Sequence, residues 1–123
     1  MNTRTKFSLL YFWSAIILVL IAWPTGECYE CDVFTWYDKV AHVLLFGVFS
    51  YLLAQVLIAK ANANLSHVIF YAFFSGIFYS AMCEFIQVYV PGRTVSEYDF
   101  LAGTLGITFA LFIFYENFKN KKT

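Results

Sequence analysis

Four apolar runs, over residues 7–23, 38–59, 66–90 and 97–116, take up most of this 123-residue chain. Each is close to or above the ~20 residues that carry a helix across a bilayer, and short polar stretches separate them. Hydrocarbon offers no partner to a backbone N–H or C=O, so such runs must satisfy their amides internally as helices. The pattern predicts an all-α fold, a four-helix transmembrane bundle forming a single domain over residues 1–123. A chain 61% hydrophobic and only 13% charged is too apolar for a soluble domain of this length.

The few charges sit at the ends of the runs. Arg4 and Lys6, then Lys60, then Lys119, Lys121 and Lys122 fall on one side of a four-span chain. By the positive-inside rule both termini are expected in the cytoplasm, and the protein in a bacterial cytoplasmic (inner) membrane. The opposite side carries Glu27, Glu30 and Asp32 in one loop and Pro91-Gly92-Arg93 in the other. Arg93 is therefore not there as a topology signal. The formal net charge is zero, so no basic surface argues for nucleic acid as a partner. Arg4 and Lys6 ahead of the first run imitate a signal peptide, but Pro24-Thr25-Gly26-Glu27 offers no A-x-A-like cleavage site. The first run is read as a retained helix, ended by Pro24 and Gly26.

Cys28 and Cys31 form a CxxC in the first outer loop, while Cys83 lies inside the third run. Facing an oxidising compartment the CxxC closes a local disulfide; otherwise it is a pair of ordinary thiols. No second cysteine pair or histidine cluster stands nearby to complete a four-ligand zinc site, so no metal and no cofactor is expected.

Polar residues inside the apolar runs carry the functional signal, because charge in a membrane helix is expensive unless paired or used. Asp38, Lys39 and His42 open the second run, with Asp38 and His42 on one face at i,i+4 spacing. Glu84 and Gln87 share a face near the end of the third run, Arg93 follows in the turn, and Asp99 opens the fourth. The topology brings all seven to one depth near the outer boundary. Some have plain structural explanations. Thr35-Trp36-Tyr37-Asp38 and Ser96-Glu97-Tyr98-Asp99 both have capping-box spacing, which makes each aspartate the third residue of a helix. Lys39 can snorkel to the interface, and a single histidine is more often packing than chemistry. Glu84 is harder to dismiss. It falls roughly 9 Å below a helix end at Val90, where the helix dipole disfavours negative charge. Arg93, His42 and Lys39 are the cations available to it. Arg93, held by the Pro-Gly turn, could serve Glu84, an anionic ligand, or both in turn. Gly76 and Ser80 on the Glu84 face, and Ala102, Gly106 and Ala110 on the fourth run, have the small-residue spacing that lets helices approach closely.

Asp38-Lys39-x-x-His42, Glu84-x-x-Gln87, Pro91-Gly92-Arg93, Asp99 and Gly106, in this order and spacing, resemble the VanZ-like family of small bacterial membrane proteins. The resemblance covers the second to fourth runs; the first matches in position only. The family pattern usually has an asparagine four residues after the aspartate, where this chain has Gly103. The family is named for low-level resistance to teicoplanin, a glycopeptide that binds peptidoglycan precursors, and the resemblance implies a role at the outer face of the membrane.

Three functions are open on these residues. The first is a binding or modulating protein of the cell envelope, in which Arg93 contacts an anionic group of a membrane lipid or lipid-linked precursor. Glu84, Gln87, His42, Asp38, Lys39 and Asp99 would then shape the pocket. The second is a membrane-surface enzyme with Glu84 and His42 as acid and base, although no serine or cysteine nucleophile stands in a recognisable constellation. The third is a structural or assembly protein without a ligand, acting as a homo-oligomer or beside another membrane protein.

Overall fold

The computed structural model describes residues 1–24, 32–61, 64–93 and 95–121. Four α-helices account for nearly all of them: α1 (Thr3–Ala22), α2 (Asp32–Ala61), α3 (Leu65–Gln87) and α4 (Glu97–Asn120), with no strand among the described residues. Each helix is long and apolar enough to cross a membrane. The CxxC cysteines Cys28 and Cys31 lie outside the described residues, and Cys83 is a buried free thiol.

α1 starts at Thr3 rather than residue 7 and α4 runs on to Asn120 rather than residue 116, and two further differences matter for the site. α2 begins at Asp32 rather than Asp38, so Asp38 lies in its second turn and is not the third residue of a capping box. No glycine or proline interrupts residues 32–37. α3 stops at Gln87 rather than Val90. From there Val88, Tyr89 and Val90 donate to the carbonyls three residues earlier at 3.1–3.3 Å, tightening the chain before Pro91 removes a donor. Gly92 takes φ 78°, a left-handed conformation that favours glycine, and the chain reverses with Arg93 N donating to the Val90 carbonyl at 3.2 Å. Glu84 is therefore one turn, roughly 4.5 Å, from the end of its helix.

The other ends follow local chemistry. The Asn64 side chain accepts from Ser66 N–H at 3.1 Å and starts α3. Ser96 precedes α4 as expected, but its side chain makes no capping bond; its carbonyl accepts from Asp99 N at 3.0 Å instead.

Packing is of the membrane kind, with small residues where the helices touch and many large apolar side chains turned outward. Phe70, Phe74 and Phe78 of α3 and Leu105, Phe109 and Phe112 of α4 face outward. Lipid gives helices no hydrophobic reason to associate, so close backbone approach has to supply the attraction. α2 and α4 meet at Gly47 and Gly106: a Cβ on Gly47 would stand 3.0 Å from the Gly106 carbonyl oxygen, and one on Gly106 would collide with the Val43 carbonyl. Behind that contact Ile17, Phe46, Val68, Ala72 and Ile107 form a core shared by all four helices. α1 is the outermost helix and is held by side-chain bonds to backbone. Trp13 Nε1 donates to the Leu45 carbonyl at 2.9 Å and Tyr79 OH to the Ser14 carbonyl at 3.0 Å.

Candidate functional site

One end of the bundle gathers the end of α1, the start of α2, the end of α3 with its turn, and the start of α4. His42 reaches inward from the third turn of α2 and is 3% exposed. Its Nε2 lies 3.2 Å from Glu84 Oε1, across the α2–α3 interface. Its Nδ1 lies 2.8 Å from the Asp38 backbone carbonyl, which can only accept, and 3.8 Å from Asp38 Oδ1. Glu84 thus finds its cation candidate in His42. The separation from Glu84 is that of an ion pair, yet among the described residues neither atom has a partner in hydrogen-bond geometry.

Arg93 does something else. It leaves the turn after α3 and crosses to the end of α1, where Nη2 donates to the Leu20 carbonyl at 2.8 Å and Nε to the Trp23 carbonyl at 3.4 Å. These carbonyls belong to the last turn of α1, where no further helical N–H is available and the dipole is negative, so a guanidinium is well suited to them. Arg93 Nη1 also reaches Asp38 Oδ1 at 3.4 Å. Of the three cations open to Glu84 the structure gives it His42, while Arg93 pairs with Asp38.

Asp99 turns into the bundle from the first turn of α4, and its Oδ1 lies 3.8 Å from Lys39 Nζ. One ligating atom each of Asp38, His42 and Asp99 come within 4.8 Å of one another. Gln87 is buried on the same face of α3 as Glu84. The seven sequence candidates therefore lie at one end of the bundle, graded in depth. The side chains of Lys39 and Asp38 are 31% and 26% exposed and that of Arg93 14%, whereas Glu84, Asp99 and His42 are at 9%, 5% and 3%.

The VanZ/LLP1 family model matches residues 2–119, which is nearly the whole chain. The chain belongs to the VanZ/LLP1 family. With four helices of spanning length and composition it is a multi-pass membrane protein. No curated protein and no solved structure matches it.

Within this VanZ/LLP1 protein, Gly103 occupies a closed position. A Cβ there would stand 3.0 Å from Phe46 Cδ2 and 3.0 Å from Ser80 Oγ, so Phe46 fills the space beside the glycine. Ser80 and Ser50 are fully buried, and their hydroxyls have no hydrogen-bond partner among the described residues. The Leu20 and Trp23 carbonyls escaped the sequence reading because a backbone acceptor leaves no mark in a sequence. A helix that ends two residues before a proline in the same outer layer as an arginine was the one available hint.

Proposed function

We propose that this protein binds an anionic group of a membrane lipid or lipid-linked envelope precursor at the outer face of the bacterial cytoplasmic membrane. The observation that carries this reading is the order of charges in depth. Lys39, Asp38 and Arg93 stand at the rim of the cluster, with the buried Glu84, His42 and Asp99 beneath them. A phosphate arriving from the headgroup layer meets these two cations at the rim beside a single carboxylate, Asp38, which Arg93 already faces at 3.4 Å. Three of the five guanidinium N–H groups of Arg93 are engaged, and the Asp38 contact is long at 3.4 Å, so an anion can share or replace it. The placement of lysines and arginines supports this end of the bundle as the outer one. On this reading the protein acts on the cell envelope, and its loss raises susceptibility to teicoplanin.

A second reading is supported by the 3.2 Å approach of His42 Nε2 to Glu84 Oε1: acid–base chemistry on the bound group. Native mass spectrometry of the detergent-purified protein separates the readings. Wild type, Lys39→Ala, Arg93→Ala and Glu84→Gln are compared for co-purifying phospholipid or isoprenoid-linked precursor. Binding predicts a ligand retained by wild type and lost from both cation variants. Catalysis predicts that Glu84→Gln holds the ligand but no longer turns it over. Bare spectra throughout, with the variants less stable, overturn both in favour of a structural role.

A further inference from the structure

Four buried polar atoms at this end of the bundle have no hydrogen-bond partner among the described residues: His42 Nε2, both Glu84 carboxylate oxygens and Asp99 Oδ1. The side chains of Glu84, Asp99 and His42 are all more than nine-tenths buried. Burial without bonding is costly for a polar group and more so for a carboxylate. The fixed cations answer this in part. Arg93 is engaged by Asp38 and the α1 carbonyls, and Lys39 stands 3.8 Å from Asp99, beyond hydrogen-bond distance. One proton shared between His42 Nε2 and Glu84 Oε1 joins those two atoms and leaves Glu84 Oε2 and the Asp99 oxygen unbonded.

We infer that Asp38, His42 and Asp99 together bind one divalent transition-metal cation, with Glu84 at its inner edge. One oxygen of each aspartate and one ring nitrogen of His42 already lie within 4.8 Å of one another. Bonds of about 2.0–2.2 Å hold ligand atoms roughly 3–4 Å apart, so the set closes on an ion by drawing together by at most about 2 Å. Both faces of the imidazole suit this. Whichever nitrogen binds the metal, the other keeps an acceptor, the Asp38 carbonyl 2.8 Å from Nδ1 or Glu84 Oε1 3.2 Å from Nε2. A single imidazole among carboxylates suits ions such as Mn²⁺, Fe²⁺ or Zn²⁺ and not Cu⁺, which needs soft sulfur ligands. The half-open Asp38 gives access from the rim, and three protein ligands leave coordination positions for a further oxygen. Asp38 and His42 share one helix at i,i+4 spacing, but the third ligand, Asp99, comes from another helix 57 positions further on, which is why the spacing alone gave no metal expectation. This inference does not rest on the headgroup reading, since the metal is read by its own binding.

The test uses the full chain in detergent, stripped with EDTA and titrated with Mn²⁺, a poor ion for the Cys28 and Cys31 thiols. Electron paramagnetic resonance counts bound ion, and electron spin echo modulation detects imidazole nitrogen. The expected result is one ion per chain with nitrogen modulation, and a thermal midpoint that rises with Mn²⁺. The modulation survives His67→Gln at the far end of α3 and is lost in His42→Gln. Asp99→Asn weakens binding by at least about tenfold and removes the thermal shift. If His42→Gln fails to fold, Asp99→Asn and the wild-type spectrum still decide. Folded wild type that binds no Mn²⁺, that binds it without nitrogen modulation, or that binds no better than Asp99→Asn overturns the proposal, leaving His42 as an imidazolium between Asp38 and Glu84. A missing metal beside a retained headgroup would sink this inference alone.

Discussion

Arg93 and Leu20, 73 positions apart in the chain, are joined by a 2.8 Å hydrogen bond from the guanidinium Nη2 to the backbone carbonyl. The bond ties the turn after α3 to the final turn of α1, and it sets a condition on every experiment that alters Arg93. Substitution removes a rim cation and unfastens the outermost helix at once.

Arg93→Ala is therefore expected to lower stability by about 2 kcal/mol, from loss of charge-assisted bonds to the Leu20 and Trp23 carbonyls. Lys39→Ala, which removes a half-exposed lysine 3.8 Å from Asp99, is expected to cost less than about 1 kcal/mol. Thermal unfolding in detergent compares them. Equal losses would show that Arg93 does not hold α1.

His42 and Glu84 should behave as a unit. Removing the histidine leaves a buried carboxylate without its partner, so His42→Ala should cost about 3 kcal/mol or more. Adding Glu84→Gln to that variant should recover at least about 1 kcal/mol, because the orphaned charge disappears. A double-mutant cycle on unfolding midpoints measures the coupling, and strictly additive losses would refute it.

At the α2–α4 contact the two glycines of α4 should differ. A methyl on Gly106 meets the Val43 backbone, which cannot move without shifting a helix, whereas one on Gly103 meets the Phe46 ring edge and the Ser80 hydroxyl. Gly106→Ala is expected to destabilise by about 2–3 kcal/mol and Gly103→Ala by roughly 1 kcal/mol or less. The order of the two melting temperatures is the check.

The end of the bundle that carries the site can be located by labelling. In a chain with its cysteines replaced by serine, Val95→Cys should react with a membrane-impermeant maleimide on intact cells. Asn64→Cys, in the turn at the opposite end, should react only after permeabilisation. Both positions are exposed, so the contrast reports sidedness rather than burial. The reverse pattern would turn the site to the cytoplasm and remove the proposed headgroup source.

Much of the architecture was legible along the chain, because spanning helices are written as long apolar runs and a chain in lipid has few other ways to satisfy its backbone. The four helices, the turn at Pro91-Gly92 and the start of α4 at Glu97 all follow from local chemistry. The polar candidates were visible for the same reason, since each interrupts an apolar run near the same end of a span. Their partners were not. Glu84 had three cations within sequence-level reach, and the rotation of α2 against α3 gave it His42. Arg93 instead found the carbonyls of α1. Asp38 looked like a helix cap until the helix began six residues earlier, which freed it for Arg93 and for the cluster with His42 and Asp99. Hydropathy and spacing are properties of a single helix. Which polar group meets which depends on how closely and at what angle the helices pack, and here that was decided by glycines such as Gly106, pressed against the backbone of a helix some sixty residues away.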